Sequence, residues 1–210
     1  MKKTIITIIV LVLLALGIIL YKTMSHDTFE DVANETDTAV IVKSFLDKMI
    51  PHHQEAVDSS LKVMNDLEIT DPQVRIFAAN MVDTQSFEIS KMESMYREYL
   101  GSEYTQTISL DAKGTGEDHY QHMMSDTSGL KGDELAKSYA KDMIKHHEAA
   151  IEMAQDYMKL IEKVKSYDST TSNGLTITNT HPAIEESYEL AKQIIDAQTK
   201  EIGMMKGWKF

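Results

Sequence analysis

One sequence pattern occurs twice in this chain and strongly limits the folds that the chain is able to adopt. Met49–His53 reads Met-Ile-Pro-His-His, and Met143–His147 reads Met-Ile-Lys-His-His. A second pattern, Gln-x-x-Glu-Ile-x-x-Met, follows each copy, at Gln85–Met92 and at Gln198–Met205. Apolar residues recur three and four positions apart around these segments, which is the spacing of one face of an α-helix. The chain is therefore predicted to be a tandem duplication of a pair of helices.

The segments around these patterns predict four long helices. Asp71 is a candidate N-cap because Pro72 follows it at the first helical position, and Gly101 is expected to stop the same helix. Glycine and proline are otherwise sparse, at 9 and 3 of 210 residues. The predicted helices span residues 38–67, 71–100, 133–167 and 181–207. Neither hairpin is able to bury its apolar face alone, so we predict an all-α four-helix bundle made of two tandem helical hairpins.

The amino end predicts a membrane anchor. Lys2 and Lys3 precede an unbroken apolar run from Thr4 to Tyr21, and its length of about 18 residues is at the short end of a membrane span. The positive flank is expected to stay in the cytoplasm, which places the rest of the chain outside. A cleaved signal peptide is the alternative, although no small-x-small cleavage site follows the run. We predict an N-terminal transmembrane helix in residues 1–21, a linker in 22–37 and the duplicated bundle domain in 38–210.

Composition excludes several classes of function. The formal net charge of −12 argues against nucleic acid as a partner, because nucleic-acid binding needs a basic surface. The same acidity is compatible with attracting cations. The chain has no cysteine, so disulfides, zinc fingers and thiol catalysis are excluded. Methionine is abundant, with 14 residues, and its thioether suits Cu(I).

Both histidines of each doublet are predicted to face the core. His52 and His53 continue two neighbouring apolar stripes of the first helix, and His146 and His147 do the same in the third. Adjacent helical residues are about 100° apart, so a doublet is not expected to chelate one ion, and each ring should point toward a different neighbouring helix. Pro51 removes a backbone N–H inside the first helix and predicts a kink that changes the direction of both rings.

The second and fourth helices place polar side chains in or beside their own core-facing stripes. These are Gln85 and Glu88 in one helix and Gln198 and Glu201 in the other. Buried polar groups without partners cost about 1–3 kcal/mol each. One interpretation is a His, Glu and Gln network that fixes the register of the bundle. The other is a metal site in which these Gln and Glu side chains are ligands or orient the ligands. The predicted ligands are then Met49, His52, His53, Met143, His146 and His147.

The connection between the two hairpins contains a second candidate cluster. His119 and His122 are three residues apart, Met123 is four residues from His119, and Met124 follows. A helical turn there would present imidazole and thioether ligands on one exposed face, which suits capture of copper or silver ions. A polar connector with chance histidines is the alternative interpretation.

The repeated patterns resemble the domain-of-unknown-function family 305. Its members carry a Met-Ile-Pro-His-His helix and a Gln-x-x-Glu-Ile-x-x-Met helix, and the likeness covers about residues 38–208. The resemblance implies a ferritin-like helical bundle, usually secreted or membrane-anchored in bacteria, and copper-binding or copper-resistance members exist. Lys145 departs from the family's proline, which puts equal occupancy of the two halves in doubt. The Glu-x-x-His signature of di-iron sites is absent from these helices, which argues against ferroxidase chemistry.

These features together predict an extracytoplasmic metal-binding protein that is not an enzyme. Copper is the expected metal, other divalent metals are alternatives, and the predicted role is sequestration, resistance or delivery. The predicted location is the cell membrane, with a single span and the soluble domain outside. The alternative is a non-catalytic structural or interaction module whose buried His, Glu and Gln network only serves packing. An oxidoreductase ranks last, because the sequence shows no carboxylate-rich pair of metal sites.

Overall fold

A computed structural model describes residues 39–105, 123–168 and 182–209 of the chain. By their contacts the residues divide into a unit of Met1–Val40 and a unit of Ile41–Phe210. The described residues form four helices and no strand. All of these helical residues belong to the second unit, except the first two residues of the first helix. The helices are α1 (39–65), α2 (Pro72–Leu100), α3 (Gly132–Asp168) and α4 (Pro182–Lys206). The predicted anchor lies outside the described ranges, and no helix within them is long and apolar enough to cross a membrane.

The boundaries of α2 follow from its local sequence. The side chain of Asp71 accepts a hydrogen bond from the Gln73 N–H at 2.9 Å, and Pro72 needs no N–H partner at the first helical position. Gly101 ends the helix in the left-handed conformation, with φ of 63°, which glycine adopts without a steric penalty. The predicted start and end of this helix are confirmed.

The other three helices also begin and end within two residues of the predicted bounds. α3 starts with Asp133 and Glu134 in its first turn, where negative charge is favourable beside the unpaired N–H groups. α1 runs through Pro51 without a break, so the proline does not end the helix. The kink predicted at Pro51 stays a prediction.

Buried apolar side chains form two separate clusters along the bundle. Cluster 1 takes residues from the start of α1, the end of α2, the second half of α3 and the start of α4. Cluster 2 takes residues from the end of α1, the start of α2, the start of α3 and the end of α4. Central members of cluster 1 are Leu46, Met49, Met92, Met95, Ile161, Leu190 and Ile194, and those of cluster 2 are Val63, Val74, Met81, Tyr139, Met143 and Met205.

The membership of these clusters gives the direction of every helix. α1 and α4 run from cluster 1 to cluster 2, whereas α2 and α3 run from cluster 2 to cluster 1. Each hairpin is therefore antiparallel, and α2 and α3 are parallel. α2 ends and α3 begins at opposite ends of the bundle, which is the arrangement of ferritin-like four-helix bundles with one long crossover, and we call the connection between these two helices the crossover. The structure thus confirms the predicted all-α four-helix fold.

The crossover reaches α3 beside the turn that joins α1 to α2. The Gly132 N–H donates a hydrogen bond to Asp66 Oδ2 at 2.9 Å, and the Thr70 N–H donates one to Asp133 Oδ1 at 2.9 Å. Gly132 has a φ of 55°, and a side chain there would bring its Cβ to 3.0 Å from the carbonyl oxygen of Glu68. A glycine is therefore required where the crossover enters α3.

Candidate functional site

A layer of polar side chains separates the two apolar clusters. On each helix the buried members of cluster 1 and cluster 2 leave a gap, and polar residues occupy that gap. The four imidazoles are fully buried, and the two amides are only 1% and 2% exposed. We call this set the histidine layer, and its members are His52, His53, Gln85, Glu88, His146, His147, Gln198 and Glu201.

The centre of the histidine layer is a stacked pair of rings, one from each hairpin. The ring centroids of His52 and His146 lie 3.6 Å apart, and the ring planes are inclined by 32°. None of the four nitrogens of this pair has a hydrogen-bond partner among the described residues. The nearest carboxylate oxygen is Glu55 Oε2, which lies 3.6 Å from His146 Nε2, beyond hydrogen-bonding range.

Two histidine–glutamate contacts flank the central pair. His53 Nε2 is hydrogen-bonded to Glu88 Oε2 at 3.1 Å, and His147 Nε2 lies 2.9 Å from Glu201 Oε2 in poorer alignment. Both carboxylates are 17% exposed, so this side of the layer reaches water. Burial, and then the charge of Glu88, raises the pKa of Glu201 to about 7. The contact between His147 and Glu201 is therefore not a fully charged pair at neutral pH.

Burial controls the protonation of the histidines. It lowers the pKa of His52 well below the usual 6.5, and the neighbouring His146 lowers it further. Burial, followed by the proximity of His53, brings the pKa of His147 to about 3. The pKa of His146 is also lowered, because burial outweighs the stabilising effect of Glu55. These three imidazoles are therefore neutral at physiological pH, which is the form that binds metal ions.

The structure confirms the predicted directions of the doublet rings. His52 faces α3 and stacks on His146, whereas His53 faces α2 and bonds to Glu88. In the second hairpin His147 faces α4 and contacts Glu201. The ring centroids within a doublet are 6.4 Å apart in α1 and 6.2 Å apart in α3, and the two rings of each doublet contact different neighbouring helices.

The two predicted thioether ligands lie on opposite sides of the histidine layer. Met49 and Met143 are fully buried, but Met49 belongs to cluster 1 and Met143 to cluster 2. The cause is the antiparallel course of α1 and α3, because a residue one turn before each histidine then points toward opposite ends of the bundle. The described side chains therefore do not bring both thioethers together on one side of the central pair.

Sequence reasoning missed two residues at this layer. The Met81 thioether accepts a hydrogen bond from Gln85 Nε2 at 3.1 Å, while Gln85 Oε1 has no partner among the described residues. The spacing of four residues between them was the available signal, but a methionine in an apolar stripe is usually core filler. Glu55 is the other missed residue, because its position beside His146 depends on a tertiary contact that its place on the polar face of α1 does not reveal.

The candidate cluster of the connection is described only in part. His119 and His122 lie outside the described residues, so the exposed site predicted there stays a prediction. Met123 and Met124 are described and half-buried, and their N–H groups donate hydrogen bonds to Glu55 Oε2 at 3.2 Å and to Glu55 Oε1 at 2.9 Å. Met124 packs against cluster 2. The end of the connection is thus held beside the histidine layer.

The layer presents nitrogen donors rather than a preformed cage. Within the part of the chain that the structure describes, no three histidine or carboxylate side chains are arranged to hold one metal ion together. Seven of the eight ring nitrogens nevertheless lack a hydrogen-bond partner there. A buried polar atom without a partner costs about 1–3 kcal/mol, so a ligand that used these lone pairs would stabilise the folded chain.

Comparison with solved structures supports the fold. The Cu(II)-bound form of CopM is 24% identical, with a TM-score of 0.55 over 80% of this chain and 94% of that one. The Cu(I)-bound form is 23% identical, with a TM-score of 0.51 over the same shares. A DUF305 fragment from Deinococcus radiodurans is 21% identical, with a TM-score of 0.53 over 80% of this chain and 93% of that one. At these identities the likeness shows the fold alone.

Comparison with family models identifies the chain at the level of the family. The model described as Domain of unknown function (DUF305) matches residues 22–96 and 42–167, which together include α1, α2 and nearly all of α3. No curated protein matches the chain. The repeated Met-Ile-x-His-His pattern, the bundle and the family match agree with one another. The chain therefore belongs to the DUF305 family.

Proposed function

We propose that this protein binds copper outside the cytoplasm and sequesters or delivers it. The observation that carries the proposal is the central pair of the histidine layer. His52 and His146 are fully buried and stacked, and none of their four nitrogens has a protein partner among the described residues. Burial keeps both rings neutral, so their lone pairs are available to a metal ion at physiological pH.

The available donor atoms fit copper better than harder cations. Imidazole nitrogen suits copper in either oxidation state, and methionine thioethers near the layer favour Cu(I). His52 and His146 would hold the ion, with Met49, Met143 and Met81 as thioether candidates. The glutamates Glu88 and Glu201 and the glutamines Gln85 and Gln198 would orient the outer histidines or take part as weaker ligands. Other divalent metals remain alternatives, because imidazole also suits zinc and nickel.

Two further observations support a role in copper handling. CopM, which has been determined with bound Cu(I) and Cu(II), has the same fold at 23% and 24% identity. The apolar run from Thr4 to Tyr21 behind Lys2 and Lys3 predicts a single-span anchor with the bundle outside the cytoplasm. A tethered acidic bundle would meet copper ions before they reach the cytoplasm.

A structural role of the histidine layer is the competing function. The hydrogen bond between His53 and Glu88 and the contact between His147 and Glu201 favour it, because they partner part of the layer without a metal. Such a layer would fix the register of the four helices. The two functions differ in whether the central pair binds a metal ion, since a layer that only serves packing does not require one.

The decisive experiment measures copper stoichiometry and affinity on the full-length chain in detergent. One variant replaces Met49 and Met143 by leucine and His52 and His146 by glutamine. A second variant replaces His119 and His122 by glutamine and Met123 and Met124 by leucine. The first variant should lose the copper bound by the histidine layer, and the second should lose any copper bound at the connection. A double replacement of His26 and His181 by glutamine is the matched control and should keep the full stoichiometry.

The pH dependence of binding separates the two kinds of site. An exposed histidine has a pKa of about 6.5, so copper binding at the connection should weaken as the pH falls through about 6. The pKa of His52 and of His146 is lowered by burial, so binding at the layer should persist to lower pH. If the first variant keeps wild-type stoichiometry and affinity, the histidine layer is structural and the proposed function fails there.

A further inference from the structure

The crossover is held onto the bundle directly beside the central histidine pair. Glu55 Oε2 accepts the Met123 N–H at 3.2 Å and lies 3.6 Å from His146 Nε2, while Glu55 Oε1 accepts the Met124 N–H at 2.9 Å. One oxygen of a single carboxylate thus lies between a backbone amide of the crossover and a ring of the pair. Glu55 is 20% exposed, so its charge is only partly screened by water.

A second carboxylate fastens the same segment to the other hairpin. Asp142 is only 6% exposed, and its Oδ2 accepts the Ser125 N–H at 3.2 Å. Glu55 lies three residues after His52 on α1, and Asp142 lies four residues before His146 on α3. Because α1 and α3 are antiparallel, both carboxylates lie one turn from the central pair in the same direction. The segment Met123–Ser125 therefore spans α1 and α3 next to that pair.

Neither carboxylate belongs to the duplicated pattern. When the two Met-Ile-x-His-His copies are aligned, Glu55 matches Ala149, and Asp142 matches Lys48. The members of the histidine layer, by contrast, occur at matched positions of both hairpins. Glu55 and Asp142 are thus specific to the side of the bundle where the crossover lies. Their presence there is explained by the docked segment and by the ring that Glu55 approaches.

We propose that Glu55 is a positioning residue that couples metal binding at His52 and His146 to the docking of Met123–Ser125. This inference rests on the proposed function. A cation on the central pair attracts the Glu55 carboxylate, and Oε2 then turns from the Met123 amide toward the ion. The Met124 amide keeps its bond to Oε1. The segment Met123–Ser125 is therefore loosened at Met123 when metal is bound and is held by both Glu55 oxygens when metal is absent.

The coupling is reciprocal, because two events that share one carboxylate must influence each other equally. Metal weakens the docking of Met123, and docking of Met123 weakens the binding of metal by the same factor. Occupation of one coupled site typically changes the affinity of the other site by about 5- to 150-fold.

The test follows amide exchange in the full-length chain in detergent, with and without saturating Ag(I) as a redox-inert soft cation. Exchange at Met123 should become about tenfold faster with Ag(I) in the wild type, as expected for a coupling of this kind. Exchange at Gly132, which is bonded to Asp66 rather than Glu55, should not change. The variant Glu55→Gln removes the charge and keeps one acceptor oxygen for the Met123 and Met124 N–H groups, so at most one of the two bonds is lost and the bundle should stay folded.

In Glu55→Gln the Ag(I)-dependent change at Met123 should disappear, and Ag(I) should bind at least fivefold more weakly. The matched control Asp66→Asn alters a carboxylate that ties the same crossover to the bundle far from the histidines, and it should keep the Ag(I) effect at Met123. If Glu55 only holds the segment in place, Glu55→Gln should speed exchange at Met123 relative to the wild type by the same factor with and without Ag(I). That result would overturn the coupling.

The coupling and the proposed function fail in different ways. If Ag(I) binds to the wild type, is lost from a His52→Gln and His146→Gln double variant, and leaves the exchange at Met123 unchanged, only the coupling is wrong. If the double variant binds Ag(I) as the wild type does, the central pair is not the metal site, and the coupling and the proposed site fall together.

Discussion

Mild acid should destabilise the metal-free bundle, because three buried histidines resist protonation. The pKa values of His52, His146 and His147 in the folded chain lie below the usual 6.5, and that of His147 is about 3. Below pH 6.5 the unfolded chain takes up protons at these positions and the folded chain does not. Their contribution is therefore fully present above pH 6.5 and is lost as the pH falls toward their folded pKa values.

Glu201 acts in the opposite direction over the same range. Its folded pKa of about 7 is higher than the usual 4.5, so the folded chain binds the proton first between pH 7 and 4.5. From pH 7 to 5.5 a histidine that stays neutral in the folded chain costs about 1 kcal/mol through protonation of the unfolded chain, and protonation of Glu201 offsets part of the loss from the three rings. The free energy of unfolding should therefore fall over this interval, by an amount on the order of 1 kcal/mol.

Chemical denaturation of the full-length chain in detergent and EDTA, followed by circular dichroism at 222 nm, measures this loss. In His52→Gln one titrating ring is removed without touching a carboxylate contact, so the loss should be smaller than in the wild type. His26→Gln, in the predicted linker, is the matched control and should behave as the wild type. A free energy of unfolding that stays constant or rises from pH 7 to 5.5 would refute the neutral, buried state of these rings.

Three further predictions concern the fold and its location. Gly132→Ala should lower stability by about 1–2 kcal/mol, because φ is positive and the added Cβ meets Glu68, whereas Gly203→Ala, inside α4 with open space around it, should raise the melting temperature. Tyr139→Phe should cost about 1–3 kcal/mol by leaving the buried Ser60 hydroxyl, now 2.8 Å from the Tyr139 hydroxyl, without that partner. A reporter fused after residue 40 should be active only outside the cytoplasm and remain in the membrane fraction; release of a processed soluble form would favour a signal peptide instead.

The fold was largely predictable because its determinants are local. Asp71 and Pro72 start α2 through a cap and a missing N–H, and Gly101 ends it through a left-handed backbone. The apolar spacing predicted the bounds of the other helices to within two residues. The duplication made an antiparallel pair of hairpins the simplest way to cover all four apolar faces.

The directions of the histidine rings were predictable for the same reason, since 100° per residue separates the two faces of a doublet. Their partners were not, because partner identity depends on the direction and level at which another helix passes. The prediction treated Met49 and Met143 as equivalent neighbours of the histidines. The antiparallel course of α1 and α3 instead sends one thioether into cluster 1 and the other into cluster 2.

Lys145, at the place of Pro51, already indicated that the two hairpins are not equivalent, but the structure adds a difference at the histidines that the sequence did not show. The Met-Ile-x-His-His patterns match residue for residue apart from Pro51 and Lys145, and the layer they build is nearly twofold. This bundle nevertheless has one connection between its hairpins, and the described segment Met123–Ser125 of that connection lies beside one side of the layer. Glu55 accepts its backbone N–H groups there, whereas the counterpart Ala149 has no side-chain acceptor. A symmetric set of histidines thereby acquires one ring, His146, that differs electrostatically from its partner, and only tertiary structure reveals which ring it is.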